Sequence, residues 1–444
     1  MTLDSSRLGT TFGPSQIKGE PLVLVYRLMF AVISVTFCIN TFRAGVVLCD
    51  PITVPWKLAL CVWFLSGALF LIQWPHWLVR VLHYVTVSWV LTHSMGVFNV
   101  ECKFFVTMSF FNIWFNFRKG QINSERNAHL LHAMLLSFGA YLFFGGFITK
   151  MQDNYWRAGD GIHYVMSLPW IGPKWARELF THTAFTGMAN WGALIAESAI
   201  LPFAIFRWSR PAAVLAFVSF ALFLCFGLRI QLIGWEALAV AVLFLSTIVP
   251  FKSPIPTERR RIANWDILGP VVSYTLVAIL TAHAARVALG YGFSPALYLV
   301  GRSTLNIQYD KLFTKEHFLS IDAFRVLLIG SDGQVREPIQ VFLEDGTAGP
   351  QSSGILSSRW LQAEMYRMDR HFVAQYIGAS GSIPPSVGRV VQYCLAANNE
   401  TVPIERVEVL VREVSLPNPE SDWMTLMTFD LSEGKFDFHE EIVK

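Results

Sequence analysis

The sequence predicts a polytopic α-helical membrane protein with about nine spans and a C-terminal soluble domain that is α+β or β-rich. Hydrophobic residues make up 53% of the chain and charged residues only 15%, whereas a soluble domain carries about 25% charged residues. The apolar residues form long runs before about residue 292, and the composition changes to that of a soluble domain from about residue 295. We therefore predict a cytosolic tail at 1–21, a transmembrane domain at 22–294 and an extracytoplasmic soluble domain at 295–444.

Nine apolar runs come close to the length of about 20 residues that a helix needs to cross a bilayer. They lie at 22–41, 56–74, 77–98, 103–117, 128–149, 184–206, 211–231, 233–250 and 268–291. The segment Tyr155 to His182 follows the fifth run and mixes prolines, tryptophans and charges. This composition predicts a segment that lies at the membrane surface.

The basic residues predict the orientation. With a cytosolic N-terminus, the cytosolic loops carry the larger share of lysine and arginine, as the positive-inside rule requires. This orientation places Lys150, the surface segment and the C-terminal domain on the non-cytosolic side of the cell inner membrane or its equivalent.

The C-terminal domain shows strand and turn patterns. Strands are predicted at 324–329, 406–411, 423–429 and 435–438, with a hairpin turn at Gly330 to Gly333. Between them, Ser357 to Ile377 has helical spacing of apolar residues.

Charge and cysteine content argue against several classes of function. The net charge is only +3 and no stretch is rich in lysine or arginine, so we expect no nucleic-acid partner. The six cysteines are scattered without metal-like or redox-like spacing, so we expect no metal site. The expected partner is membrane lipid.

Lys150 is the residue that carries most information about function. It ends the apolar run from Ala128 to Thr149, where a lysine either extends its amine to water or takes part in chemistry. A neutral lysine amine is a competent general base. Asp153 and Trp156 follow it closely in the segment Lys150-Met151-Gln152-Asp153-Asn154-Tyr155-Trp156.

Three further ionisable residues lie within apolar runs. Glu197 sits in the middle of a predicted helix and needs a lysine, an arginine or a ligand as its partner, and Pro202 predicts a kink close by. Arg229 and Glu236 are seven residues apart, which is two helical turns. They form either structural ion pairs or a site for an anionic substrate group.

The run Ala140-Tyr141-Leu142-Phe143-Phe144-Gly145-Gly146-Phe147-Ile148-Thr149-Lys150, followed by Trp156, resembles a helix end of the vitamin K-dependent γ-glutamyl carboxylase superfamily. Bacterial members are known as horizontally transferred transmembrane (HTTM) domains. The shared pattern is a glycine-containing helix, a lysine and a short acidic stretch that ends in tryptophan. The resemblance covers roughly residues 20–290 and includes Glu197 and Pro202.

This resemblance implies that Lys150 is the catalytic base of a carboxylase, a lyase- or ligase-type enzyme. The implied cofactor is a reduced quinone of the vitamin K type, with O2 and CO2 as co-substrates, and the implied substrate is a secreted or membrane-delivered peptide. Supporting or binding roles are predicted for Glu197, Arg229, Glu236, His93, Trp156 and Asp153. The family's supporting histidine has no counterpart at 99–103, where His93 is the nearest histidine, and a second family histidine aligns at about Leu224.

Two other functions fit the same residues. One is a non-enzymatic HTTM protein that assists the maturation or export of a secreted peptide. The other is a small-molecule or ion transporter in which Glu197, Arg229 and Glu236 line a site near the membrane midplane.

Overall fold

The structure is a computed structural model, and it describes most of the helical region and most of the C-terminal domain. The described residues are 17, 20–43, 53–93, 100–118, 122, 124–167, 174–180, 183–227, 231–248, 264–288, 322–340, 370–398, 400–413 and 422–442. The predicted boundary near residue 294 lies outside these ranges.

In the described ranges of the N-terminal part, all regular secondary structure is helical. Its helices are α1 (Glu20–Arg43), α2 (Val54–Ile72), α3 (Trp77–His93), α4 (Val100–Trp114), α5 (Glu125–Phe138), α6 (Gly145–Gln152), α7 (Asn154–Ala158), α8 (Gly161–Ser167), α9 (Lys174–Leu179), α10 (Thr183–Ile205), α11 (Arg210–Leu222), α12 (Gln231–Leu245) and α13 (Asn264–Ala288). A π-helical turn, Gly139–Phe144, joins α5 to α6, and a second π-helical turn, Phe223–Gly227, extends α11.

In the described ranges, five helical stretches are long and apolar enough to cross a membrane. They are Glu20–Phe42, Val54–Ile72, Glu125–Gln152, Phe185–Ile205 and Arg210–Gly227. The other four predicted spans coincide with shorter apolar stretches of helix among the described residues, at Trp77–Leu91, Phe104–Trp114, Ile233–Leu245 and Ile267–Ala282, the last of which lies within the 25-residue helix α13. The helical, membrane-type architecture is confirmed, with five candidate spans in the described part of the chain where nine were predicted.

One of these stretches shows why a hydropathy run can exceed its helix. Hydropathy measures how apolar a stretch is, not where its helix ends, so a predicted span can include apolar residues beyond the last helical turn. The helix within the run 103–117 ends at Trp114, and Phe115 to Phe117 continue the run without helical structure.

Close approach between helices positions the site described below. Gly139 lies in the first π-helical turn, and a Cβ atom on it would come within 3.2 Å of Leu201 Cα in α10. A larger residue would press on the backbone of α10, so glycine favours this close approach. Since Leu201 is one turn from Glu197, the contact brings the middle of α10 against the α5–α6 stretch.

The C-terminal end of α10 is held by hydrogen bonds to its carbonyls. His132 Nε2 donates to the Ala204 carbonyl at 3.1 Å, and Arg210 Nε donates to the same oxygen at 3.0 Å. His132 Nδ1 lies 2.9 Å from the Tyr274 hydroxyl. These contacts satisfy carbonyls that a helix end leaves open and join α5, α10 and α13.

The C-terminal domain contains a five-stranded sheet in which all neighbours are antiparallel. Its strands are β1 (Asp322–Gly330), β2 (Val335–Arg336), β3 (Ile404–Glu413), β4 (Met424–Asp430) and β5 (Lys435–Phe438), in the order β2-β1-β3-β4-β5. The predicted strands are confirmed. The predicted turn is confirmed too, because Gly333 adopts a φ of 73° and donates to the Gly330 carbonyl at 2.9 Å.

Two helices accompany this sheet, α14 (Arg370–Ser380) and α15 (Pro385–Ala397). The predicted helix at 357–377 overlaps α14 from Arg370 onwards, and its first part lies outside the described residues. Helix α15 was not predicted. Its buried side chains, Val387, Val390, Val391 and Cys394, contribute to the same hydrophobic core as the alternating residues Phe324, Val326 and Leu328 of β1.

Candidate functional site

An ion pair between α6 and α10 forms the centre of the candidate site. Lys150 lies in the last turn of α6, and its Nζ donates a hydrogen bond to Glu197 Oε1. The side chains are only 12% and 9% exposed, respectively. The sequence predicts that the carboxylate of Glu197 has a partner, and in the structure this partner is Lys150.

The second oxygen of Glu197 is not satisfied in the same way. Oε2 is buried and has no hydrogen-bond partner among the described residues. A buried acceptor without a donor costs free energy, so such an atom needs an explanation, which strain, a bound water or ion, or a catalytic role can supply. The ion pair therefore leaves one acceptor position open.

Two glycines of α6 leave space beside this open oxygen. Among the described residues, a Cβ atom on Gly146 would meet only Glu197 Oε2 within 4 Å, at 3.7 Å, and one on Gly145 would meet only the Ala140 carbonyl, at 4.0 Å. Gly145 and Gly146 are half-buried. Glu197 Oε2 thus faces a stretch of helix that carries no side chain.

The indole of Trp156 covers the lysine. Lys150 Nζ lies 4.6 Å from the ring centroid, within the range of a cation–π interaction. Trp156 is buried in the short helix α7. Asp153 caps that helix, because its Oδ1 accepts hydrogen bonds from the backbone of Tyr155 at 2.8 Å and of Trp156 at 3.3 Å.

Asn190 is a site residue that sequence analysis missed. It is fully buried in α10, seven residues before Glu197, and its Nδ2 donates to the Trp156 carbonyl at 2.9 Å. The signal in the sequence was an amide two helical turns from a buried carboxylate, which places both on one face of the helix. A single polar residue in an apolar run was too weak a signal without its partners.

The structure brings together four predicted site residues: Lys150, Glu197, Trp156 and Asp153. Glu236 is fully buried in α12, which packs mainly against α1, α4 and α11 rather than against α6 and α10. His93 is the last residue of α3, and its side chain lies outside what the structure describes. Arg229 also lies outside the described residues. Leu224, at the position of a family histidine, is buried in the second π-helical turn.

The chain was compared with known protein families, curated proteins and solved structures, and none of them matches. The resemblance to the carboxylase superfamily therefore remains a prediction from the sequence. In the described ranges, no group of three or more histidine, cysteine, aspartate and glutamate side chains could hold a metal ion.

Proposed function

We propose that this protein is a carboxylase-like integral membrane enzyme in which Lys150 and Glu197 form the proton-transfer pair. The observation that supports this most directly is the buried Glu197 Oε2, an acceptor without a donor beside the lysine amine. An ion pair built only for stability would be expected to satisfy both oxygens. An open oxygen leaves a place for the hydroxyl or amide hydrogen of a substrate.

The hydrogen bond between the two side chains provides a route for the proton. When the proton moves from Lys150 Nζ to Glu197 Oε1, the amine becomes a general base. It then accepts a proton from a substrate held against the glycine stretch at Gly145 and Gly146.

The reduced quinone that the resemblance implies would meet one free acceptor here, among the described residues. Glu197 Oε2 would accept a hydroxyl hydrogen beside Gly145 and Gly146, which carry no side chains. When bound, such a quinone supplies, after oxygenation by O2, the strong base that removes a γ-proton of a substrate glutamate, to which CO2 then adds. Lys150 and Glu197 would bind and deprotonate the quinone.

We further propose the orientation and the substrate class. The positive-inside rule places Lys150 on the non-cytosolic side, so a secreted or membrane-delivered peptide is the proposed substrate. The C-terminal domain would then lie on the same side as the site.

The test replaces the lysine with a cation that keeps its charge in proteins. Lys150→Arg retains the positive charge but cannot become a neutral base, whereas Lys57→Arg makes the same change at an exposed lysine of α2 and serves as the control. Peptides secreted by cells that carry each variant would be analysed by mass spectrometry. We expect glutamates that gain one carboxyl group with the wild type and with Lys57→Arg, and none with Lys150→Arg.

Thermal unfolding of each purified variant would show that the arginine variant still folds. If a folded Lys150→Arg variant still produced the modified peptide, Lys150 would not be the base. If a peptide were exported in a manner that depends on this protein but without any change in mass, the maturation or export role would replace the enzymatic one.

A further inference from the structure

Asn190 links three helices through one buried amide. Its Nδ2 donates to the Trp156 carbonyl at 2.9 Å, and its Oδ1 accepts from the Ile162 backbone N–H at 3.3 Å. The first bond reaches α7 and the second reaches α8, while Asn190 itself belongs to α10. Since the amide is fully buried, loss of the side chain would leave both backbone groups without these partners.

The two helices that Asn190 contacts are too short to be stable alone. Helix α7 has 5 residues and α8 has 7, whereas isolated helices shorter than about 12 residues are marginal in water. Their positions must come from tertiary contacts. Asp153 orders the start of α7, and Asn190 joins α7 and α8 to the long helix that carries Glu197.

The indole of Trp156 has little freedom in this arrangement. Helix α7 ends at Ala158 and is capped by Gly159, which adopts a φ of 96°, and α8 begins at Gly161. A Cβ atom on Gly161 would lie 2.3 Å from Trp156 Cδ2, so the ring occupies the space that a larger residue would need. The amine of Lys150 also contacts the ring, because its Nζ lies 4.6 Å from the ring centroid.

We infer that Asn190 is a positioning residue for Lys150, which acts by holding Trp156 so that the indole covers the amine and directs it towards Glu197. The inference deepens the proposed function and rests on it for the chemical role of Lys150. The contacts themselves predict a change in the reactivity of the Lys150 amine whether or not the protein is a carboxylase.

The chain provides a matched control near the start of α5. Asn127 in α5 is also a fully buried amide that holds a loop, with Nδ2 donating to the Asn116 carbonyl at 2.9 Å and to the Ile122 carbonyl at 3.1 Å. It accepts from the Asn116 backbone N–H at 2.9 Å. Substitution of Asn127 removes a comparable set of bonds near the start of α5, more than 20 residues along the chain from Lys150.

The experiment measures how fast Lys150 is methylated. The full-length protein in detergent micelles would be treated briefly with formaldehyde and cyanoborohydride, and each lysine would be quantified by mass spectrometry. Lys435, which is 76% exposed, is the internal reference. In Asn190→Ala we expect the Lys150 rate, relative to Lys435, to rise about fivefold, the factor that corresponds to loss of a cation–π contact of about 1 kcal/mol. In Asn127→Ala we expect no change in this ratio.

Two further variants keep the test decisive. Asn190→Asp keeps the acceptor for Ile162 but cannot donate to Trp156, so it should also raise the ratio, and it serves if the alanine variant does not fold. Gly161→Ala displaces the indole without any change at Asn190 and should have the same effect. An unchanged Lys150 ratio in a folded Asn190 variant would overturn the inference. A raised ratio together with no carboxylated peptide would preserve the inference and remove the proposed function.

Discussion

Two buried ion pairs, one in the helical region and one in the C-terminal sheet, have the same parts but different connections. Lys150–Glu197 is 12% and 9% exposed, and Arg325–Glu337 is 13% and 9% exposed. Each cation lies over a tryptophan ring, Lys150 at 4.6 Å from Trp156 and Arg325 at 5.4 Å from Trp423. Burial and aromatic contact therefore do not distinguish the two pairs.

The difference lies in how each carboxylate is satisfied. Arg325 donates through Nε and Nη2 to both oxygens of Glu337, at 3.0 Å and 2.7 Å. Lys150 binds only Oε1 of Glu197, and Oε2 has no hydrogen-bond partner in the described part of the chain. In the Arg325–Glu337 pair both carboxylate oxygens are bonded and the guanidinium stays charged, which is typical of a structural ion pair. The Lys150–Glu197 pair keeps an unbonded acceptor oxygen and a proton that can be transferred, as a proton-transfer site requires.

The largest expected effect comes from removal of the lysine. Lys150→Met should destabilise the helical region by about 3 kcal/mol, because Glu197 must then remain charged in a buried position or take up a proton. Reversible unfolding in mixed micelles would measure the change.

The control for this prediction is the double variant Lys150→Met with Glu197→Leu, which removes both charges. It should recover most of the lost stability, because two apolar residues often replace a buried pair without loss. If the double variant were no more stable than the single one, the pair would not be coupled and the comparison would fail.

A smaller loss is expected from the closed pair. Glu337→Gln should destabilise the C-terminal domain by about 2 kcal/mol, because Arg325 keeps one amide oxygen and its contact with Trp423 while it loses the carboxylate charge. The buried thiol of Cys394 reports on this domain, since burial raises its pKa to about 12. At pH 8 it reacts only when the domain opens.

The measurement is thiol labelling of Cys394 in increasing urea, read by mass spectrometry. Labelling should begin at lower urea in Glu337→Gln than in the wild type, whereas Lys150→Met should leave the Cys394 midpoint in place. A shift of that midpoint in Lys150→Met would mean that the two regions unfold together.

The smallest effect is expected from a third pair, Arg336–Asp332, whose carboxylate is in contact with solvent because the Asp332 side chain is 34% exposed. Hydrogen bonds from Arg336 lower the pKa of Asp332 from 3.8 to about 2. Because the folded pKa is the lower one, the contribution to stability is present above about pH 4 and is lost as the pH falls towards 2. An exposed pair contributes little.

Asp332→Asn should therefore leave the Cys394 midpoint almost unchanged at pH 7. Between pH 4 and pH 2, where thiols do not label, unfolding followed by circular dichroism should show a flatter decline in stability for this variant than for the wild type. A large loss of stability at pH 7 would show that solvent exposure does not weaken this pair as the comparison assumes.

Most of the candidate site was predictable, because a charged residue in an apolar run stands out by its desolvation cost. Lys150 and Glu197 were found in this way, and Asp153 and Trp156 were found through the segment that follows the lysine. The partner of Glu197 was left open, since 47 positions separate it from Lys150. Asn190 was missed because a neutral amide disturbs hydropathy little, and its importance comes from the two backbone groups that it binds.

For the fold, hydrophobic runs and strand alternation were sufficient to predict a helical membrane region and a sheet-containing domain, because burial acts on each residue through its own transfer free energy. Helix α15 and the end of α4 at Trp114 were not predictable in this way, since tertiary packing decides where a helix stops. Which carboxylate oxygen is satisfied, and which is left open, was decided only by the tertiary structure. That choice depends on distances between residues far apart in the chain, and no local pattern encodes it.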